Sequence, residues 1–239
     1  MAQIFPKWMN LVPFVAAVGG GGTAVTVILC IWWFGSPEFT DVGYRPEQPI
    51  PFSHKLHAGE LGMDCRYCHS NIEKSQEANI PAASTCMNCH RKVKMGSKKL
   101  DPLYNMFEHK RDKPTEQDPQ GKVTEVDFNK PKNENAIEWV RVHKLPDYAY
   151  FDHSVHLKAG VGCTSCHGRI DGMEVVYQAK PLSMGWCLDC HRKPQAHIRP
   201  DSVKVTDMNW LQKMSKKESN ALIEKRGLKP PEDCSACHR

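Results

Sequence analysis

Five copies of one short motif dominate the chemistry open to this chain. C-x-x-C-H occurs at Cys65–His69, Cys86–His90, Cys163–His167, Cys187–His191 and Cys234–His238. It is the attachment signature of c-type haem. The two thiols add to the haem vinyl groups, and a two-residue spacer lets one turn of backbone present both sulfurs to one porphyrin edge. The adjoining histidine then faces the iron. Ten of the eleven cysteines belong to the pattern: Cys65, Cys68, Cys86, Cys89, Cys163, Cys166, Cys187, Cys190, Cys234 and Cys237. Structural zinc takes two C-x-x-C pairs per ion, so five pairs leave one over, and neither zinc nor a disulfide framework uses the five flanking histidines. Five covalent haems are expected, with His69, His90, His167, His191 and His238 as proximal ligands.

A second pattern precedes two of these motifs. Residues 52–57 (FSHKLH) and 151–156 (FDHSVH) both read F-x-H-x-x-H, and six or seven residues later each reaches a C-x-x-C-H. Another haem motif follows in both cases, so the chain holds two di-haem modules and a closing single motif. A three-residue spacing puts His54 with His57, and His153 with His156, on one face of a helical turn. Two occurrences at matching offsets mark them as distal iron ligands. Two histidines so close cannot share one iron's distal side, so each pair serves two neighbouring haems. Of the twelve histidines, seven are not proximal, enough for a distal ligand on every iron. His143 is the preferred fifth, from an ordered-looking stretch beside the second module. His109, His197 and a methionine remain alternatives, although no methionine recurs at matching offsets. Six-coordinate irons suit electron transfer rather than catalysis, so no catalytic residue is expected.

The elements around these ligands are sparse. Outside the first 35 residues, Leu, Ile, Val and Phe number 35 of 204, about 17%, below the level at which a chain begins to look disordered. The haems must therefore supply the missing core. The expected fold is mainly irregular chain and short α-helices packed around haems. A formal charge of +5 would favour nucleic acid by itself. Each ferric haem, however, brings one positive charge at its core and two negative propionates, and five haems bring the oxidised protein near neutrality. Arg91, Arg192 and Arg239 each follow a haem histidine and are suited to propionates or to solvent.

Residues 1–35 contain an uncharged apolar run, 11–35. At about 1.5 Å per residue it exceeds a hydrocarbon core of about 30 Å. Lys7 precedes it and Glu38 and Asp41 follow, which orients the N-terminus to the cytoplasm and the haem segments to the periplasm. Trp32 and Trp33 stand at the outer interface, and Gly19–Gly22 would let a partner helix approach closely. A signal peptide would have a shorter apolar core and a small-residue cleavage site. Cys30 lies inside the run after the large Leu29, which fits a plain apolar cysteine better than a lipidated one. The remaining segments are a Pro-rich linker (36–51), the first di-haem module (52–95), a charged insertion (96–135), the second module (136–200) and a single-haem segment (201–239). Ser215 and Glu218 form a capping box that predicts a helix over 215–226, stopped by Gly227.

The repeated layout resembles class III multihaem cytochromes c. IPFSHKLHAGELGMDCRYCH, IPAASTCMNCH, EWVRVHKLPDYAYFDHSVH and SMGWCLDCHRKP, with one anchor and a fifth motif, resemble more closely the pentahaem membrane-anchored subunit of alternative complex III. That resemblance covers most of residues 11–35, 50–90 and 138–239. It implies a class III-like fold with one N-terminal transmembrane helix in the inner membrane and a periplasmic haem domain. It also implies integral-membrane and iron–sulfur or molybdopterin-like partner subunits, which oxidise quinol. The electrons would pass to a monohaem cytochrome c, a copper protein or a terminal oxidase. Residues 108–132 look like an insertion beyond that pattern, which weakens His109 as a ligand. The competing function is a self-sufficient quinol dehydrogenase like the small cytochromes of nitrite reduction. Those place a Met soon after the first motif, where this chain has HSNIEKS. A catalytic multihaem reductase is disfavoured because all five motifs end in His and none carries the Lys of nitrite reductases.

Overall fold

A computed structural model of the chain describes residues 4–107, 136–210 and 214–238. It is mostly helical, with no strand among the described residues. Extended pairing is confined to the isolated antiparallel bridges Ala149–His238 and Val161–Ile198. The chain divides into two compact units, Met1–Val42 and Gly43–Arg239.

The first unit is built on helix α1, Val12–Phe34, entered through a 3-10 turn at Lys7–Leu11. Pro13 lies in its first turn, where backbone amides have no intrahelical acceptor to lose. The hydroxyls of Thr23 and Thr26 donate to the carbonyls of Gly19 and Gly22 at 2.8 and 2.9 Å, so neither presents an unmet polar group. None of its side chains is buried. The helical span Lys7–Phe34 is long and apolar enough to cross a membrane, its most apolar 18-residue stretch having a mean hydropathy of 2.1. The expected linker carries a short helix of its own, α2 (Pro37–Thr40), with Phe39 edge-on to Phe34 at 4.9 Å.

In the second unit the helices are short: α3 (Cys65–Cys68), α4 (Ala83–His90), α5 (Asp101–Asn105), α6 (His153–Ala159), α7 (Thr164–His167), α8 (Met184–Arg192), α9 (Lys216–Lys225) and α10 (Cys234–Cys237). Caps explain where they begin. Asp64 accepts from the Arg66 amide, Asp152 from those of Ser154 and Val155, Ser183 from Trp186 and Asp233 from Ala236. The expected capping box at Ser215 and Glu218 is formed and starts α9. Gly227, at φ +61, follows its end.

Among the described residues the side chains build a small core. Ile50, Ala83, Met87, Leu103, Tyr104 and Phe107 cluster there, flanked by Cys86, Ile137 and Trp139. Tyr104 donates to the carbonyl of His90 at 2.6 Å, so the cluster holds the second haem motif. Residues 98–107 thus pack into the core, although they open the stretch expected to be an insertion; five helical residues are too few to show a period.

The two modules grip each other reciprocally. In the first, the Lys55 amide donates to the carbonyl of Met173 at 3.0 Å, and the Ser53 hydroxyl donates to Glu174 at 2.7 Å. In the second, the His153 amide donates to the carbonyl of Gln76 at 3.1 Å. Gln76 and Glu174 stand at the same offset after His69 and His167. Each F-x-H-x-x-H turn is therefore held by the loop that follows the other module's first haem motif.

Candidate haem-binding site

The motifs are closed locally. The amides of His69, His167 and His238 donate to the carbonyls of Cys65, Cys163 and Cys234 at 2.8, 3.0 and 2.9 Å, which wraps each motif into one helical turn. No cysteine of the eleven is in a disulfide. Among the described residues no three His, Cys, Asp or Glu side chains converge to hold a metal ion. Burial pushes the Cys163 thiol up to about 11, with Cys65 adding to it, and the Cys166 thiol up to about 12, with Cys190 and Cys187 adding to it.

The imidazoles show a consistent orientation. The Nδ1–H groups of His69, His90, His191 and His238 donate to the carbonyls of Asn79, Val93, Pro231 and Tyr148 at 2.7, 3.1, 2.6 and 3.3 Å. Those of His57, His153 and His156 donate to Ser53, Gln76 and Asp152 at 2.8, 2.8 and 2.7 Å. A carbonyl only accepts, so these seven rings carry the proton on Nδ1 and keep the Nε2 lone pair for a metal. Such an outer hydrogen bond is the usual support of a metal-bound histidine. Burial acts on two of the distal candidates. It lowers His54 to about 4, with His69 and His57 adding to the effect, and it lowers His156 as well.

Ring separations then test the fit to haem iron. Two imidazoles on opposite sides of one metal, each with a metal–nitrogen bond of about 2.0–2.1 Å, have centres roughly 6.3 Å apart. His57 and His90 are 6.2 Å apart, and His156 and His191 are 6.2 Å apart. These are equivalent positions of the two modules. His153 and His167 follow at 6.4 Å. The residues present fit bis-histidine haem.

The phenylalanines of the F-x-H-x-x-H pattern carry no assigned task in the sequence, and their task is visible here. Phe52 stands edge-on to His54 at 4.9 Å and stacks on His57 at 4.4 Å. Phe151 stands edge-on to His153 at 4.8 Å and tilted against His156 at 4.5 Å and 32°. Asp152 starts the turn carrying the second pair, and an Asp ahead of an apolar-periodic stretch is a readable cap. The carbonyl acceptors carry no sequence signal.

The other histidines fall differently. His143 lies 4.4 Å from His167, ring to ring at 79°, with its Nε2 3.3 Å from the His167 Nδ1. It is therefore on the outer side of His167, too near to face it across an iron. His197 is half-buried beside Lys180 and has no ring contact with another histidine among the described residues. His109 and Arg239 lie outside the described residues. Arg192 is paired with Glu232 at 3.1 Å.

Histidines opposed at the iron-spanning distance, next to C-x-x-C turns, define a multihaem c-type cytochrome. The sequence matches the family described as cytochrome c7 and related cytochrome c over residues 50–113 and 149–239, more than half of the chain, and the protein belongs to that family. It is also similar to the menaquinone reductase multihaem cytochrome c subunit of Nitratidesulfovibrio vulgaris (Hildenborough), with 31% identity over 154 residues. That match takes in 63% of this chain and 60% of the relative, so the chain spans under two thirds of the relative's length.

Proposed function

We propose that the chain is a pentahaem electron-transfer subunit of a membrane quinol:acceptor oxidoreductase of the alternative complex III kind. It would be anchored in the inner membrane by α1, with its haem unit on the periplasmic side. The observation that carries the electron-transfer assignment is the matched 6.2 Å opposition of His57 to His90 and of His156 to His191. Haem, when bound, supplies one-electron redox centres; filling both axial positions leaves no place for substrate at the iron. The module repeat extends the pairing to His153 with His167 and to His54 with His69. His143 serves as the fifth distal ligand, on an iron other than that of His167.

The contacts also support an order for the attachment sites. Asn88 donates to the Tyr67 hydroxyl at 3.0 Å, which joins the second motif to the first. The first and third are bridged by consecutive residues: Thr206 donates to Asp64 at 3.3 Å, and the Cys163 sulfur lies 3.4 Å from the Val205 carbonyl oxygen. The helix just before the third motif meets the fourth through His156, whose ring centre is 6.2 Å from that of His191. The fourth meets the fifth through His191 with Pro231 and Arg192 with Glu232. The path runs through the motifs at Cys86, Cys65, Cys163, Cys187 and Cys234.

The partners are membrane and iron–sulfur or molybdopterin-like subunits, with a monohaem cytochrome c, copper protein or terminal oxidase as acceptor. The relative's name favours a second reading, in which the complex reduces quinone and the path runs in reverse. Purification in mild detergent tests the assignment. Quinol-dependent reduction of a soluble cytochrome is expected from the assembled complex and not from the isolated chain. Turnover by the isolated chain would overturn it in favour of a self-sufficient dehydrogenase. Quinone reduction driven only from a periplasmic donor would select the reverse direction.

A further inference from the structure

The two F-x-H-x-x-H turns differ in backbone, a π-helical turn at Lys55–Glu60 against α6, yet hold their rings alike except at the outer nitrogen of the first histidine. Both phenylalanines hold their histidines at matching distances and angles: 4.9 Å and 85° for Phe52 with His54, 4.8 Å and 86° for Phe151 with His153. The second histidine of each turn donates from Nδ1 to the carbonyl four residues before it, at 2.8 Å for His57 and 2.7 Å for His156. The first histidines differ. His153 donates from Nδ1 to the Gln76 carbonyl at 2.8 Å. The Nδ1 of His54 is buried and has no hydrogen-bond partner among the described residues.

The two loops engage the turns differently: the Gln76 carbonyl takes both the amide and the Nδ1–H of His153, whereas the Met173 carbonyl takes the Lys55 amide and the Glu174 carboxylate takes the Ser53 hydroxyl. An Nδ1–H bonded to a carbonyl makes an imidazole a stronger donor to its metal, which favours the more highly charged ferric iron. An imidazole without that bond favours it less. We infer that His54 is a tuning residue: it leaves its haem at a more positive potential than the haem ligated by His153, so that an electron shared between the central haems rests in the first module. This rests on the proposed ligation of both histidines. It gives the centre of the path a downhill step from the second module to the first, set against a proximal difference: the Nδ1 of His69 is 2.7 Å from the Asn79 carbonyl, and that of His167 is 3.3 Å from His143.

The test is a potentiometric titration of the full-length holoprotein, followed by the low-spin signals in electron paramagnetic resonance. His54→Ala and His153→Ala each identify one signal by removing it. His54→Met and His153→Met, which retain a sixth ligand, identify the same signals by shifting them if an alanine variant does not assemble. In the unmutated protein the His54 signal is expected to titrate above the His153 signal. Loss of an outer partner commonly changes a metal site by about tenfold or more; for a one-electron couple tenfold is about 59 mV. Coincident midpoints, or the reverse order, overturn the inference while leaving the ligation intact. Variants in which no low-spin signal is removed or shifted overturn the ligation and the inference together.

Discussion

Removing the His57 imidazole should open one iron, and that iron should be the one held by the second haem motif. The ring centres of His57 and His90 are 6.2 Å apart, against roughly 6.3 Å for two imidazoles on one metal. His57→Ala therefore takes away one axial ligand and no other. The local damage is small. The Ser53 carbonyl that loses the Nδ1 bond still accepts the residue 57 amide at 3.2 Å, and the ring's stacking on Phe52 at 4.4 Å disappears with it. Together these cost about 1–2 kcal/mol, too little to unfold a haem-stapled unit. On the proposed count of five haems, one fifth of the low-spin intensity should become high-spin, and carbon monoxide should bind at one equivalent per chain. His156→Ala should do the same at the iron of His191, and the double variant should convert two fifths. The decisive control removes the haem itself. In a Cys86→Ser, Cys89→Ser background, shown by mass to lack one haem, His57→Ala should produce no further high-spin iron. If a high-spin signal still appears there, His57 ligates a different iron and the pairing is wrong.

Replacing His143 by Ala should open a single iron and leave the His153–His167 signal low-spin, since His143 lies on the outer side of His167; persistence of all low-spin signals would remove His143 from the ligand set. Leu103 is 1% exposed in the cluster that supports His90, so Leu103→Ala should cost about 2–5 kcal/mol, read as a lowered thermal midpoint of roughly 2–4 °C per kcal/mol. Gly160 ends α6 at φ +101, and an added Cβ would meet the Arg226 guanidinium that donates to the Ala159 and Arg199 carbonyls. Gly160→Ala should lose about 1–2 kcal/mol from the backbone alone and should broaden the His156 haem signal, whereas Gly172→Ala, which meets nothing, should not. Expression without haem attachment should give a chain that shows no cooperative melt, because side chains alone build so small a core; a sharp thermal transition in the haem-free chain would contradict this.

The attachment chemistry is legible in the chain because it is local. Cys65, Arg66, Tyr67, Cys68 and His69 complete one turn among themselves, so spacing alone specifies what they can bind. The apolar run of α1 and the Ser215–Glu218 box are local in the same sense, and the internal repeat exposes His54, His57, His153 and His156 as a set. Residues 98–107 escape a sequence reading because their role is defined by what they pack against, not by any period of their own. Which histidine faces which is decided only by the tertiary structure. The opposition of His57 to His90 depends on a turn and a helix brought together across 33 residues. The support of His153 depends on Gln76, on the far side of the insertion. The same holds for the difference between His54 and His153. It turns on backbone carbonyls, which every residue possesses and no sequence pattern marks, so only the folded chain determines which imidazole finds one.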